Sequence, residues 1–336
     1  MIRLAWRQFR SEAIIGVAAL IVVAVVLAIT GPHLMSVYRM APDQVTSTYH
    51  TLQVAVVALL VIVPAIIGIF FGAPLVAREL ETGTFRLVWT QSVTRLRWLT
   101  IKLAVVGFSS ALLAGGFSLI AAWWANPINI VNQNRFSSAT FGILGIVPFG
   151  YALFAVTLGA TVGLIFRRTL PAMATTLVGY VATRYAVTYW VRPHFQAPLR
   201  MSARLSTASG FSFINTPTGL SMTASPPPIP NAWPLSASIV DKAGHTPTSS
   251  YLQHACPALT TGPGAGRVAG GPHTTPVIQG SMQTCIANVS AKFHEVVSYQ
   301  PANRYWPFQI YETALFVVLA LALAGLSMWC VRRRVT

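Results

Sequence analysis

Acidic side chains are nearly missing from this chain. Seven Asp and Glu stand against 23 Lys and Arg in 336 residues, and only 9% of the positions are charged. A soluble domain carries about 25% charged residues, so folding in water is excluded for most of the length. No pair of carboxylates falls inside an apolar run, which removes the relay that proton-coupled transport or an intramembrane acid-pair enzyme needs. A phosphate-cradling G-x-x-x-x-G-K-[ST] loop is also lacking, so the sequence offers no such site for hydrolysing ATP. The stretch from Gly264 to Ala269 imitates a dinucleotide fingerprint but lacks the last Gly and follows no convincing strand. Cysteine is scarce: Cys330 closes an apolar run, which leaves Cys256 and Cys285 as the pair in a polar segment.

What is abundant is hydrophobic residues, 54% of the chain, with a net charge of +16. Such a charge would suit nucleic acid if it clustered on a soluble domain. Here Arg and Lys stand at the ends of apolar runs, where they orient helices and meet anionic lipid. Membrane lipid is therefore the expected partner, and nucleic acid is not.

Residues 2–12 place Ile2, Ala5, Trp6 and Phe9 on one helical face and Arg3, Arg7 and Arg10 on the other, the pattern of a helix lying on a membrane surface. Apolar runs follow at 13–30, 52–76, 101–125, 142–166, 170–191 and 310–331. Each reaches or comes close to the length of about 20 residues that a bilayer requires. The expected fold is an all-α integral membrane protein with six transmembrane helices. The fifth run contains Arg184, which must snorkel or face the bundle interior. No small-residue cleavage pattern follows the first run, so it is expected to stay in the membrane.

Counting Lys and Arg on alternate sides sets the orientation. Arg3, Arg7, Arg10, then the 78–102 cluster, then Arg167 and Arg168, then Arg332 to Arg334 share one side, whereas the two short opposite loops hold only Arg39 and Arg135. The positive-inside rule makes both termini cytoplasmic. Residues 1–191 then form a membrane domain with a cytoplasmic loop at 77–100, residues 192–307 an extracellular segment, and residues 308–336 the last span and a basic tail. The extracellular segment holds 15 of the 22 prolines and is expected to be largely irregular. Cys256 and Cys285 lie on the oxidising side, where a disulfide worth roughly 3 to 4 kcal/mol is expected.

Smaller signals have structural readings. Gly159 and Gly163 would let the fourth span approach another helix closely. Glu312 falls in the expected opening turn of the last span, where it would favour the helix dipole. Trp123, Trp124, Trp190, Tyr305 and Trp306 at one boundary, and Trp89 and Trp98 at the other, fit aromatic belts. His194, His245, His254, His273 and His294 lack metal-ligand spacing, so no metal site is assigned.

The loop between the second and third spans carries the most specific pattern. From Ala73 it reads Pro74-Leu75-Val76-Ala77-Arg78-Glu79-Leu80-Glu81-Thr82-Gly83-Thr84-Phe85-Arg86, and it continues through Arg95, Arg97 and Lys102 into the third span. Gly83 can end one short helix, residues 86–91 can lie along the membrane surface, and Thr94 can cap the next helix. This acidic pair, Gly-Thr step and Arg leading into a Lys-bearing span resemble the coupling loop of type-2 ABC exporter permeases. The plan of the chain resembles them too, and residues 299–312 look like actinobacterial members of that group. The large Pro-rich segment departs from the compact bacterial members.

The resemblance implies a non-catalytic permease in a bacterial cell membrane, moving a drug, antibiotic, lipid-like compound or peptide outward. It implies ATPase subunits as partners, with ATP and Mg held on them and no cofactor on this chain, and a second copy or a homologous permease. Arg78, Glu79, Glu81, Gly83, Thr84, Arg86 and Arg95 would form or support the ATPase contact. Thr175, Thr176, Tyr180 and Thr183 on the fifth span are candidates for the substrate path. The alternatives are a membrane receptor or sensor whose extracellular segment binds a ligand without net transport, and an intramembrane enzyme, for which paired catalytic groups are missing.

Overall fold

Long apolar runs become long helices when every backbone polar group must be satisfied within the segment. The computed structural model describes residues 2–83, 94–133, 135–205, 211–216, 219–225, 229–257, 268–269 and 284–334. They divide into a helical unit, Met1–Phe195 with Arg304–Thr336, and a sheet unit, Gln196–Asn303. Among the described residues of the helical unit, the helices longer than one turn are α1 (Ile2–Met40), α2 (Val45–Ile67), α3 (Pro74–Thr82), α4 (Arg95–Asn132), α5 (Val147–Phe166) and α6 (Thr169–Ala186), followed after the sheet unit by a last helix, Tyr305–Arg334. Among the described residues, five stretches are long and apolar enough to cross a membrane: Ile14–Met40, Pro42–Thr82, Arg95–Asn132, Val147–Phe166 and Ala302–Arg333. The chain is an integral membrane protein. With Arg184 and several threonines, α6 is more polar and is not one of these five.

Two expectations about helix ends are corrected. The surface helix at 2–12, the span at 13–30 and the polar segment after it are one uninterrupted helix, α1, with Pro32 inside. Helices in apolar surroundings tolerate a proline where neighbours support them, and here the support is specific. A side-chain atom on Gly31 would sit 2.9 Å from the Trp123 ring, Thr30 Oγ1 accepts from Trp124 Nε1 at 3.0 Å, and His33 Nδ1 bonds the Tyr49 hydroxyl. The fourth span starts at Val147 rather than 142. Gln309 explains why: its Oε1 accepts from the amides of Ile146 and Val147, while its Nε2 donates to the carbonyls of Phe141 and Leu144.

The centre of the helical unit is α5, buried on nearly every face. Its Gly159 lies against a π-helical turn, Gly68–Gly72, that leads from α2 towards α3, and its Gly163 lies against Ala73 and Ala77 at the start of α3. A β-carbon on Gly159 would stand 2.5 Å from the Ala73 nitrogen, and one on Gly163 would stand 2.6 Å from the Ala73 oxygen. Close approach of backbones is thus the use of this small-residue pair, as its spacing implies. The aromatic-belt expectation fails for Trp98 and Trp124, which are buried in the core, and for Tyr305; Trp123, Trp190 and Trp306 are exposed. Trp89 lies outside the described residues.

The sheet unit corrects the expectation of an all-α fold with a largely irregular segment. It has β1 (Leu199–Ala203), β2 (Phe211–Thr216), β3 (Gly219–Ala224), β4 (Trp233–Val240), β5 (Val268–Ala269) and β6 (His294–Gln300), with a short helix, α7 (Ser249–Ala255), between β4 and β5. They form two three-stranded sheets, ordered β1-β6-β4 and β3-β2-β5, with antiparallel pairing. Trp233–Val240 and His294–Gln300 alternate in burial along most of their length, as strands with one covered face do. Cys256 and Cys285 form a disulfide with their Cα atoms 4.7 Å apart. Around it Leu252, Ile286, Val289, Phe293, Phe213 and Ile239 make a core.

Candidate functional site

The short helix α3 begins with Pro74, whose missing N–H costs nothing at a first turn, and ends at Gly83 with φ +72°. That left-handed conformation suits glycine, and among the described residues no neighbour lies within 4 Å of a β-carbon placed there. Thr94 starts α4 as its sequence context implies: its hydroxyl accepts from the Arg97 amide at 3.4 Å with ψ 140°. Residues 84–93, with Thr84 and Arg86, lie outside the described residues.

The two acids of α3 point to different helices. Glu79 pairs with Lys102 of α4; their side chains retain only 13% and 7% of their surface. Lys102 Nζ also reaches the Leu75 carbonyl at 3.4 Å and lies 4.9 Å from the Trp98 ring centroid. Charges so withdrawn from water are costly unless paired, and this pairing pins α3 against α4. Glu81 reaches the other way. Its Oε2 accepts from the amide of Thr169 at 3.0 Å and from its hydroxyl at 2.7 Å, which places an anion on the N-terminus of α6.

Arg78 is exposed on α3 between these anchors. Beside Glu81 a cavity of about 650 Å³ opens, lined by Leu80, Glu81, Arg167, Arg168, Leu170 and Pro171. The structure therefore brings Arg78, Glu79, Glu81 and Gly83 together on α3, with Arg95 at the first position of α4. Lys102 and Thr169 are the partners that reading the loop did not supply. A lysine inside an apolar run was the available signal for the first. The second has none, because the contact joins positions 88 apart.

The four α6 positions do not share one environment. Thr175 is exposed and Thr183 half-buried, whereas Thr176 is buried with its hydroxyl on the Ala172 carbonyl, and Tyr180 is buried with its ring 6.4 Å from that of Phe154. Glu312 is not in an opening turn, since the last helix begins at Tyr305. Its carboxylate is fully buried and held by Arg192, with Nε to Oε2 at 2.6 Å and Nη2 to Oε1 at 2.8 Å, and by the Tyr151 hydroxyl.

A family model described as "ABC-2 membrane transporter related" matches residues 17–192. No curated protein and no solved structure shows significant similarity to the chain.

Proposed function

The chain belongs to the ABC-2 membrane transporter related family, and on that premise we propose that it is the permease subunit of an ATP-driven exporter whose ATPase is a separate chain. The observation that carries this reading is the double anchoring of α3, to α4 through Glu79–Lys102 and to α6 through Glu81–Thr169. A push on α3 by a partner would move two spans at once. In this reading α6 is a sixth span, the α3 end and both termini are cytoplasmic, and the sheet unit is extracellular.

ATPase subunits would seat on Arg78 and the cavity beside Glu81, with residues 84–93 contributing. ATP and Mg would be held on those subunits. Two copies of this chain, or this chain and a homologue, would enclose a route for an amphipathic or hydrophobic compound along the exposed side of α6, near Thr175 and Thr183. Work is done only if the ATPase contact differs in strength between inward and outward states.

Purification in mild detergent tests the reading. A stoichiometric ATP-hydrolysing partner is expected, with hydrolysis stimulated by amphipathic compounds. Recovery of the chain without such a partner would move the function to the sheet unit, whose own core and disulfide suit the alternative of a ligand-binding receptor.

A further inference from the structure

Among the described residues of the helical unit, Arg184 is a half-buried cation with no carboxylate beside it. Arg184 of α6 and Arg192 just beyond it both converge on Gly142: a β-carbon there would stand 3.3 Å from Arg184 Nη2, 3.4 Å from Arg192 Nη2 and 3.2 Å from the Tyr151 hydroxyl. Glu312 is committed to Arg192 through both oxygens, one of which also accepts from Tyr151. Arg184 makes do with neutral partners. Its Nη1 donates to the Val61 carbonyl at 3.1 Å, its Nη2 reaches the Gly142 carbonyl at 3.5 Å, and its guanidinium lies 4.6 Å from the Tyr151 ring centroid. Among the described residues Arg184 forms no ion pair.

Among the described residues of the helical unit, the other carboxylates are committed or lie far along their helices. Glu79 and Glu81 are engaged with Lys102 and Thr169, and Glu12 stands near the start of α1. Asp43 remains, but it precedes α2 by two residues and stands about 27 Å of helix rise from Val61. A second copy related by an axis along the membrane normal would hold its Asp43 at the same depth, so it offers no carboxylate at the level of Arg184 either.

Arg184 lies about 22 Å of helix rise from Thr169, the start of α6, well inside a hydrocarbon layer of about 30 Å. It keeps partial exposure, and Val181 and Tyr185 on either side of it are exposed. A cation at such depth faces a functional partner more often than none. We propose that Arg184 is the docking point for the acidic head group of an anionic amphiphile, a carboxylate or phosphate carried on an apolar body that lies against the exposed face of α6. The proposal rests on α6 being a span and names the cargo class of the exporter reading.

The test is made on the full chain in nanodiscs of zwitterionic lipid, so it does not depend on the ATPase. A fluorescent fatty acid and its methyl ester are titrated as matched probes. The acid is expected to bind more tightly by about 10- to 100-fold, the range of a hydrogen bond to a charged group. Arg184→Gln is expected to erase that ratio, and Arg184→Lys to keep part of it, an outcome that loss of packing alone does not produce. Competition with phosphatidylglycerol assigns the source: displacement points to a bilayer lipid, and its failure to a soluble amphiphile. Equal binding of acid and ester, no binding of either, or an unchanged ratio in Arg184→Gln would overturn the proposal. Acid-selective binding by a chain that recruits no ATPase would keep it while removing the exporter.

Discussion

One carboxylate oxygen of Glu81 accepts both the amide and the hydroxyl of Thr169, at 3.0 and 2.7 Å, and so ties the end of α3 to the start of α6. Because the contact is exposed, its value lies in geometry rather than in stability. Glu81→Ala and Thr169→Val should each lower stimulated ATP hydrolysis of the complex several-fold while leaving the amount of inserted protein unchanged. The double variant should be no worse than either single one, the non-additivity expected of residues acting as a unit. Additive losses would show that the two act separately.

Glu79 and Lys102 make the opposite case, since both are largely withdrawn from solvent. Removing one partner strands a charge, at a cost of about 3 to 5 kcal/mol. Glu79→Leu should therefore depress the unfolding temperature in detergent markedly. Glu79→Leu with Lys102→Met should recover most of it, because an apolar pair can replace a buried ion pair with little loss. A double variant as unstable as the single one contradicts this account of α3.

The contact of α5 with the 68–72 turn is made of backbone. Gly159→Val should destabilise the helical unit by about 1 to 3 kcal/mol, the cost of overpacking, or prevent folding. Among the described residues Gly325 has no neighbour within 4 Å of its β-carbon position, and Gly325→Ala should be neutral or stabilising. Thermal unfolding of the two variants side by side checks the pair.

Much of this region was legible because its signals are local. Gly83 and Thr94 stop and start helices through their own backbone chemistry, and the two cysteines stood out in a polar segment. The partners of Glu79, Glu81 and Glu312 were not legible, since they come from other helices and leave no pattern near the acid. The strands were missed for a different reason. Prolines are concentrated in 192–307, and they hid the alternation in Trp233–Val240 and His294–Gln300 that marks a half-covered sheet. Pro32 misled in the other direction, because its helix is supported by Trp123, Trp124 and Tyr49 from neighbouring helices.

In the sheet unit, Glu295 is buried on β6 and neither oxygen has a hydrogen-bond partner among the described residues. Burial pushes its carboxyl above the usual carboxylate range. The folded unit therefore holds this proton to higher pH than the unfolded chain does. Its contribution to stability is present below the unfolded value and is lost as pH rises through the folded one. Hydrogen exchange across 294–300, corrected for intrinsic rate, should show protection that falls as pH rises above the usual carboxylate range. Glu295→Gln should flatten that fall.

Cys256 and Cys285 close the core of the same unit. Cys256→Ser with Cys285→Ser should cost roughly 3 to 4 kcal/mol. Limited proteolysis should then cut within 196–303 while the helical unit stays intact, and uniform susceptibility along the chain would argue against two separately cored units.

The most direct test of the central claim is photo-cross-linking from Arg78, which is exposed on α3. With a benzophenone side chain at this position, the purified complex should yield a cross-link to an ATP-hydrolysing subunit, and its efficiency should change when ATP is bound and not yet hydrolysed. A cross-link to no ATPase from position 78, in a complex that still hydrolyses ATP, would contradict the assignment of α3 as the element through which the energy enters.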